Sequence, residues 1–209
     1  MKVFVVGGAT NYANFLEEAS LVDRVEDADV VLFTGGKDVD PSLYGCERDR
    51  YTHSNKKRDL AEKKIFESVK PTQLCLGICR GSQFLCVMNG GILVQHCWNH
   101  AIGYTHEISD GDTLYQITST HHQMQYPYNL NRVDYDVLFT TEQRRSYEYV
   151  GEKIDPNAII SNGEPEIVLY HKEGFPKCLA VQGHPEMIPD SPVAKMISDL
   201  VKRLIDENK

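Results

Sequence analysis

Leu74-Cys75-Leu76-Gly77-Ile78-Cys79-Arg80-Gly81-Ser82-Gln83 is an apolar run that meets a Gly-x-Cys-x-Gly and continues into polar residues. Such a run, bounded by glycine, reads as a buried strand that turns sharply into a helix. Gly77 and Gly81 flank Cys79 at minus and plus two. This is the nucleophile-elbow pattern with sulfur in place of a serine oxygen. So tight a turn strains its central residue and leaves no room for side chains two positions away. It lifts the thiol out of the sheet edge and sets it at a helix N-terminus, where the dipole favours thiolate. Taken alone, the pattern reads more readily as a buried structural cysteine.

The far end of the chain changes that balance. Leu179-Ala180-Val181-Gln182-Gly183-His184-Pro185-Glu186 is a second apolar strand with a polar tip. In extended backbone His184 and Glu186 share a face. Pro185 favours that geometry for the residue before it. A carboxylate beside an imidazole sets its tautomer and stabilises the imidazolium, so the imidazole can take a thiol proton.

These two segments resemble the class I glutamine amidotransferases. Two further stretches, Phe33-Thr34-Gly35-Gly36-Lys37-Asp38-Val39-Asp40-Pro41 with Tyr44-Gly45, and Ser119-Thr120-His121-His122-Gln123, are similar to the branch that hydrolyses γ-glutamyl amines, the peptidase C26-like γ-glutamyl-γ-aminobutyrate hydrolases. The four motifs follow the family's order across residues 33 to 186. The resemblance implies a Cys79-His184-Glu186 triad and a γ-glutamyl thioester. It implies an oxyanion hole from the N–H groups of Gly36 and Arg80, and substrate contacts from Asp38, Gln83, Thr120, His121 and His122. It also implies that no cofactor is needed. Residues 124–165, rich in Tyr and charge, match the branch least.

Bulk properties narrow the classes. The chain has 209 residues and a net charge of −8. That length suits one domain with a real core, and no boundary, repeat or linker is visible. The acidic balance argues against a nucleic-acid-binding surface. No run approaches the roughly 18 apolar residues of a membrane span, and the opening apolar run stops at Gly7-Gly8, unlike a signal peptide. Six cysteines without a Cys-x-x-Cys pair suit free thiols in a reducing cytoplasm. Five histidines, His96, His100, His106, His121 and His122, raise a metal site, but their spacings match no standard ligand set, so none is expected.

Along the chain, strands are expected over 3–6, 28–34, 137–141, 166–171 and 178–182. A hairpin is expected about Gly111-Asp112. Helices are expected over 12–19, capped by Thr10 or Asn11, over 55–69 with Ala61, Ile65 and Val69 inward, and over 82–88. The basic run Lys56-Lys57-Arg58 reads as a solvated helix face. Ser191 and Pro192 open a last helix whose stripe from Val193 to Ile205 is core packing.

The expected architecture is α/β: a mostly parallel, flavodoxin-like sheet covered by helices on both faces, with an added antiparallel β portion. Positions 36, 79 and 184–186 then fall at strand C-terminal ends, where such sheets hold ligands. The reading is a thiol hydrolase of glutamine or a γ-glutamyl amine. A glutaminase subunit feeding ammonia to a separate synthetase or ligase is the alternative. A catalytically silent ligand-binding relative stands in another class.

Overall fold

The computed structural model describes residues 1–208. Its strands are β1 (Lys2–Val5), β2 (Ser20–Leu21), β3 (Val30–Phe33), β4 (Leu74–Ile78), β5 (Ile92–Val94), β6 (His96–Cys97), β7 (Ala101–Ser109), β8 (Leu114–Thr120), β9 (Met124–Tyr126), β10 (Tyr135–Thr141), β11 (Tyr149–Val150), β12 (Pro165–Tyr170) and β13 (Cys178–Val181). Its α-helices are α1 (Lys56–Ser68), α2 (Arg80–Met88), α3 (Pro156–Asn162) and α4 (Pro192–Glu207).

Nine strands form one mixed sheet in the order β2-β1-β3-β4-β13-β12-β10-β7-β8. The first five run parallel, beginning in the 2-1-3-4 order of flavodoxin-like sheets. From β13 onward every pairing is antiparallel, which is the expected added portion. Two small antiparallel pairs, β5-β9 and β6-β11, lie outside it.

The inner strands are apolar without alternation because both faces are covered. Val31, Phe33 and Cys75 point into a core shared with Phe66 of α1 and Phe84 of α2. Val30, Leu32, Leu74, Leu76 and Ile78 point the other way, onto Ile197, Val201 and Leu204 of α4. The period-2 alternation of strand side chains thus divides one sheet between two cores. Helix α4 forms as its sequence dictates: Pro192 opens it and the Ser191 hydroxyl accepts from the Ala194 N–H at 3.2 Å. Among the described residues no helix is long and apolar enough to cross a membrane, and all six cysteines are free thiols.

Two expected elements differ. The helix over 12–19 is only a 3-10 turn, Thr10–Ala13, and its cap, Ala9, makes no side-chain bond. A segment this short gains little from helix formation, and burying Phe15 and Leu16 against the second core decides its path. Helix α1 spans the expected residues, and Val69 is buried and Ile65 packs on the first core as expected. Ala61 is instead exposed, and Asp59, Glu62 and Phe66 are buried beside them.

Candidate active site

Three neighbouring parallel strands, β3, β4 and β13, end side by side. Beyond β3 comes Gly35-Gly36, beyond β4 comes Cys79, and three residues beyond β13 comes His184. Sheet topology alone thus gathers groups far apart in the chain.

The turn after β4 is as tight as its glycines suggest. Cys79 sits at φ 53°, ψ −110°, a conformation that non-glycine residues seldom adopt. A Cβ on Gly77 would lie 2.5 Å from the Gly81 carbonyl oxygen, and one on Gly81 would collide with the Phe33 carbonyl of β3. Cys79 donates its N–H to Val181 O at 2.8 Å, and its carbonyl accepts from the Ser82 hydroxyl at 2.7 Å. The strained residue is held from both sides.

His184 is anchored by Thr118 of β8, whose hydroxyl accepts from the His184 N–H at 2.7 Å and donates to its carbonyl at 3.1 Å. Its Nδ1 donates to Glu186 Oε1 at 2.7 Å. Burial disfavours the charged ring, but the neighbouring Cys79 and the bonded Glu186 outweigh it and raise the imidazole to about 10. His184 and Glu186 are thus one bonded pair, set beside the Cys79 elbow.

Gly36 has φ +137°, and a Cβ there would strike the Arg58 guanidinium. Arg58 Nη1 donates to Gly35 O at 3.0 Å, Nη2 to Thr34 O at 3.2 Å, and Nε to Glu62 Oε1 at 2.7 Å. Glu62 also pairs with the fully buried Arg80, as does Asp59. Asp59 in turn accepts from the Asp40 N–H at 2.9 Å. This charge web ties the tip of β3 to the start of α2. Burial raises the Asp59 carboxyl above the ordinary carboxylate range.

A cleft of about 330 Å³ opens over Cys79. Gly36, Asp38, Arg80, Gln83, Thr120, His121 and His122 all line it, with Lys37, His53 and Gln123. Gln83 does not point free into the cleft: its amide donates to the Gln123 carbonyl at 2.9 Å. His122 Nε2 lies 3.1 Å from Asp38 Oδ1, and Asp38 Oδ2 accepts from the His53 N–H at 2.7 Å. His122 also abuts His96, which stacks on Tyr51 at 4.1 Å and meets Trp98 edge-on. An aromatic wall thus adjoins the cleft.

Sequence reading missed Tyr12, Arg58, Asp59 and Glu62. Tyr12 stands over His184 with ring centroids 6.1 Å apart, and its hydroxyl would lie 2.6 Å from a Cβ on Gly35. Burial, then the charges of Glu186 and Cys79, raise its phenol above the usual range. Arg58 was hidden in a run that looked solvated. Asp59 and Glu62, three apart, share a face of α1, but nothing in their spacing says that this face turns inward.

The sequence profile of the Peptidase C26 family matches residues 5–186. The glutamine amidotransferase-like protein YvdE of Lactococcus lactis is 28% identical over 189 residues, covering 88% of this chain and 73% of that protein. A Mycobacterium tuberculosis protein named as a glutamine amidotransferase, Rv2859c, is 41% identical over 68 residues, 32% of this chain. That match spans 22% of the mycobacterial protein's length. Among solved structures, a GMP synthase subunit from Thermoplasma acidophilum superposes with a TM-score of 0.62 at 16% identity, covering 99% of this chain and 94% of the other. A glutamine amidotransferase from Thermotoga maritima gives 0.56 at 15% identity, covering 100% and 90%. At such identities the structures speak to the fold, which they share. With the profile spanning most of its length, the chain belongs to the Peptidase C26 family of cysteine-type hydrolases, within the class I glutamine amidotransferase-like proteins.

Proposed function

We propose that this protein hydrolyses the γ-amide bond of glutamine or a γ-glutamyl amine, with Cys79 as nucleophile. The observation that carries the reading is the Cys79–His184–Glu186 unit at the strand tips, with the imidazole raised to about 10. The Cys79 sulfur attacks the γ-carbonyl carbon. The carbonyl oxygen takes the negative charge, between the N–H groups of Gly36 and Arg80. His184 gives its proton to the leaving nitrogen as the C–N bond breaks, leaving a γ-glutamyl thioester. Water, deprotonated by His184, then adds to the thioester and glutamate departs. Glu186 keeps the ring oriented and favours its charged form.

The charge web around Gly36 and Arg80 favours a chain that works alone. Both backbone segments are clamped by the protein's own side chains, so neither needs a partner to set it. The test is steady-state hydrolysis by the purified chain over a panel of γ-glutamyl compounds, with products identified by mass spectrometry. Brisk glutamate release supports the reading. Negligible turnover on every compound, rescued by a synthetase from the same source, would overturn it in favour of an ammonia-supplying role within a larger synthetase. That second reading draws on fold neighbours such as the Thermotoga PurLQS assembly, with a TM-score of 0.53, and the Thermoplasma GMP synthase subunit.

Two further outcomes follow from the geometry. A group whose pKa is raised keeps its proton until the pH climbs through the raised value, so kcat/KM should hold through the weakly alkaline range and fall near pH 10. The limb belongs to the coupled Cys–His pair. Glu186→Gln removes a carboxylate that favours the imidazolium, so the limb should move to lower pH. An unmoved limb in a pH series on both proteins would show that Glu186 does not act through His184.

The Asp38–His122 pair lines the cleft over Cys79 with the aromatic wall beside it, and the leaving amine is assigned to that side. His122→Ala and Asp38→Asn should each change the preference among γ-glutamyl amines, by about tenfold between best and worst, while lowering the best rate less. Equal losses on all amines in a kcat/KM comparison would place both residues in the core machinery.

A further inference from the structure

We propose that the chain holds one transition-metal ion of the zinc class in a closed site built from His100, His106, His121 and Glu166. None of these residues belongs to the catalytic unit argued above. His100 precedes β7, His106 lies on it, His121 follows β8, and Glu166 lies on β12. A register break between Ala101 and Tyr104, with Gly103 at φ +69°, bends the start of β7. The ligands come from three separated segments, which is why sequence spacing matched no standard set.

Donor atoms of His100, His106 and Glu166 all lie within 4.8 Å of one another. From Glu166 Oε1, His106 Nε2 is at 2.9 Å, His100 Nδ1 at 3.6 Å and His121 Nε2 at 3.7 Å. Tetrahedral zinc with bonds of about 2.0–2.1 Å separates its ligand atoms by about 3.4 Å. The three separations, all taken from Glu166 Oε1, bracket that value.

A network of protons alone fits less well. All four side chains are almost wholly buried. Yet both ring nitrogens of His100 and His106, His121 Nε2 and both Glu166 oxygens lack a hydrogen bond. Even the 2.9 Å approach of His106 lies off the line such a bond needs. His121 Nδ1 donates to the Gln123 carbonyl at 2.9 Å, so in the neutral ring Nε2 carries a lone pair toward a carboxylate. Among the described residues no Lys or Arg ion-pairs with Glu166. A cation between these lone pairs resolves the conflict.

The surroundings match as well. His100 Nε2 lies 3.3 Å from Glu164 Oε2, the outer carboxylate that a metal-bound imidazole commonly takes. Glu164 is itself fixed by the Thr141 and Tyr149 hydroxyls and by the N–H groups of Arg145 and Ser146. Four protein ligands leave no open position, so the ion is structural and activates no water. It would brace the wall of the cleft through His121 and Gln123, to which Gln83 is also bonded.

The test uses the untagged full chain. Elemental analysis of the purified protein should find about one zinc per chain. After chelation, zinc should rebind with one-to-one stoichiometry and raise the melting temperature by about 10 °C. The titration is repeated in Cys79→Ala, so that the elbow thiol is not counted. Cobalt should give the intense visible absorption of a tetrahedral site. His106→Ala and Glu166→Gln should lose the ion, and His96→Ala should keep it. Folded wild-type chain that takes up less than a tenth of an equivalent from micromolar zinc would overturn the proposal. So would a weak octahedral cobalt spectrum, which needs no variant to fold, or full binding retained in both His106→Ala and Glu166→Gln.

Discussion

Cys79→Ala is expected to lower turnover by on the order of 10⁴-fold or more, because a triad works as a unit and fails when its nucleophile is removed. The fold should survive, since the elbow is held by backbone bonds to Val181 and Ser82 that the substitution leaves intact. A glutamine-mimicking electrophile should label Cys79 and spare the other thiols. Burial pushes Cys86 up to about 12 and, with the neighbouring Cys178, lifts Cys75 well above the ordinary thiol range. Those two sulfurs stay protonated where His184 can still receive a proton. Peptide mapping after labelling reads the outcome directly. Label spread over Cys75, Cys79 and Cys86, or full activity in Cys79→Ala, would remove Cys79 from the mechanism.

Glu62→Ala should produce the next largest loss, in stability and in rate together. Glu62 accepts from Arg58 and pairs with Arg80, and both Glu62 and Arg80 are buried. Removing one member of a buried charge group costs about 3–5 kcal/mol, since the remaining charge cannot be rehydrated. Here the charges left behind are Arg58, which bonds the Thr34 and Gly35 carbonyls beside Gly36, and Arg80, which keeps only Asp59. The denaturant midpoint should fall, and kcat/KM should fall further than unfolding accounts for when measured well below that midpoint. Arg80→Lys should fare little better, because an ammonium cannot reach Asp59 and Glu62 with the fork a guanidinium provides. By contrast, disrupting the exposed Arg24–Glu26 pair should change neither quantity. A Glu62→Ala chain that melts and turns over like wild type would show that the web is ornamental.

Much of this site was readable before any coordinates because its signals are local. Gly77 and Gly81 announce the elbow through steric demands confined to five residues. His184 and Glu186 pair as expected but not for the expected reason: Pro185–Met187 is a 3-10 turn and not extended strand, and that turn brings the carboxylate to the ring. The inner strands were legible because burial on both faces leaves an unbroken apolar run. The failures have one cause in common. Asp59, Glu62 and Arg58 look like surface residues until Arg80 is folded beneath them, and that contact depends on how α1 sits against α2. Tyr12 reaches His184 only because its segment turns instead of forming a helix. Likewise His100, His106 and Glu166 come together only through the order of the antiparallel strands. Charged residues buried by tertiary contact carry no periodic signature of their own.

The register of β4 against β13 pairs Cys75 with Cys178 and Ile78 with Val181. These partners stand about a hundred positions apart, so closing them is among the costlier chain closures of folding. During synthesis the elbow strand leaves the ribosome long before the strand that delivers His184. Until β13 docks, neither His184 nor Glu186 stands near Cys79. On the function proposed above, reactivity is thereby deferred to the end of assembly, and partly folded chains lack the base.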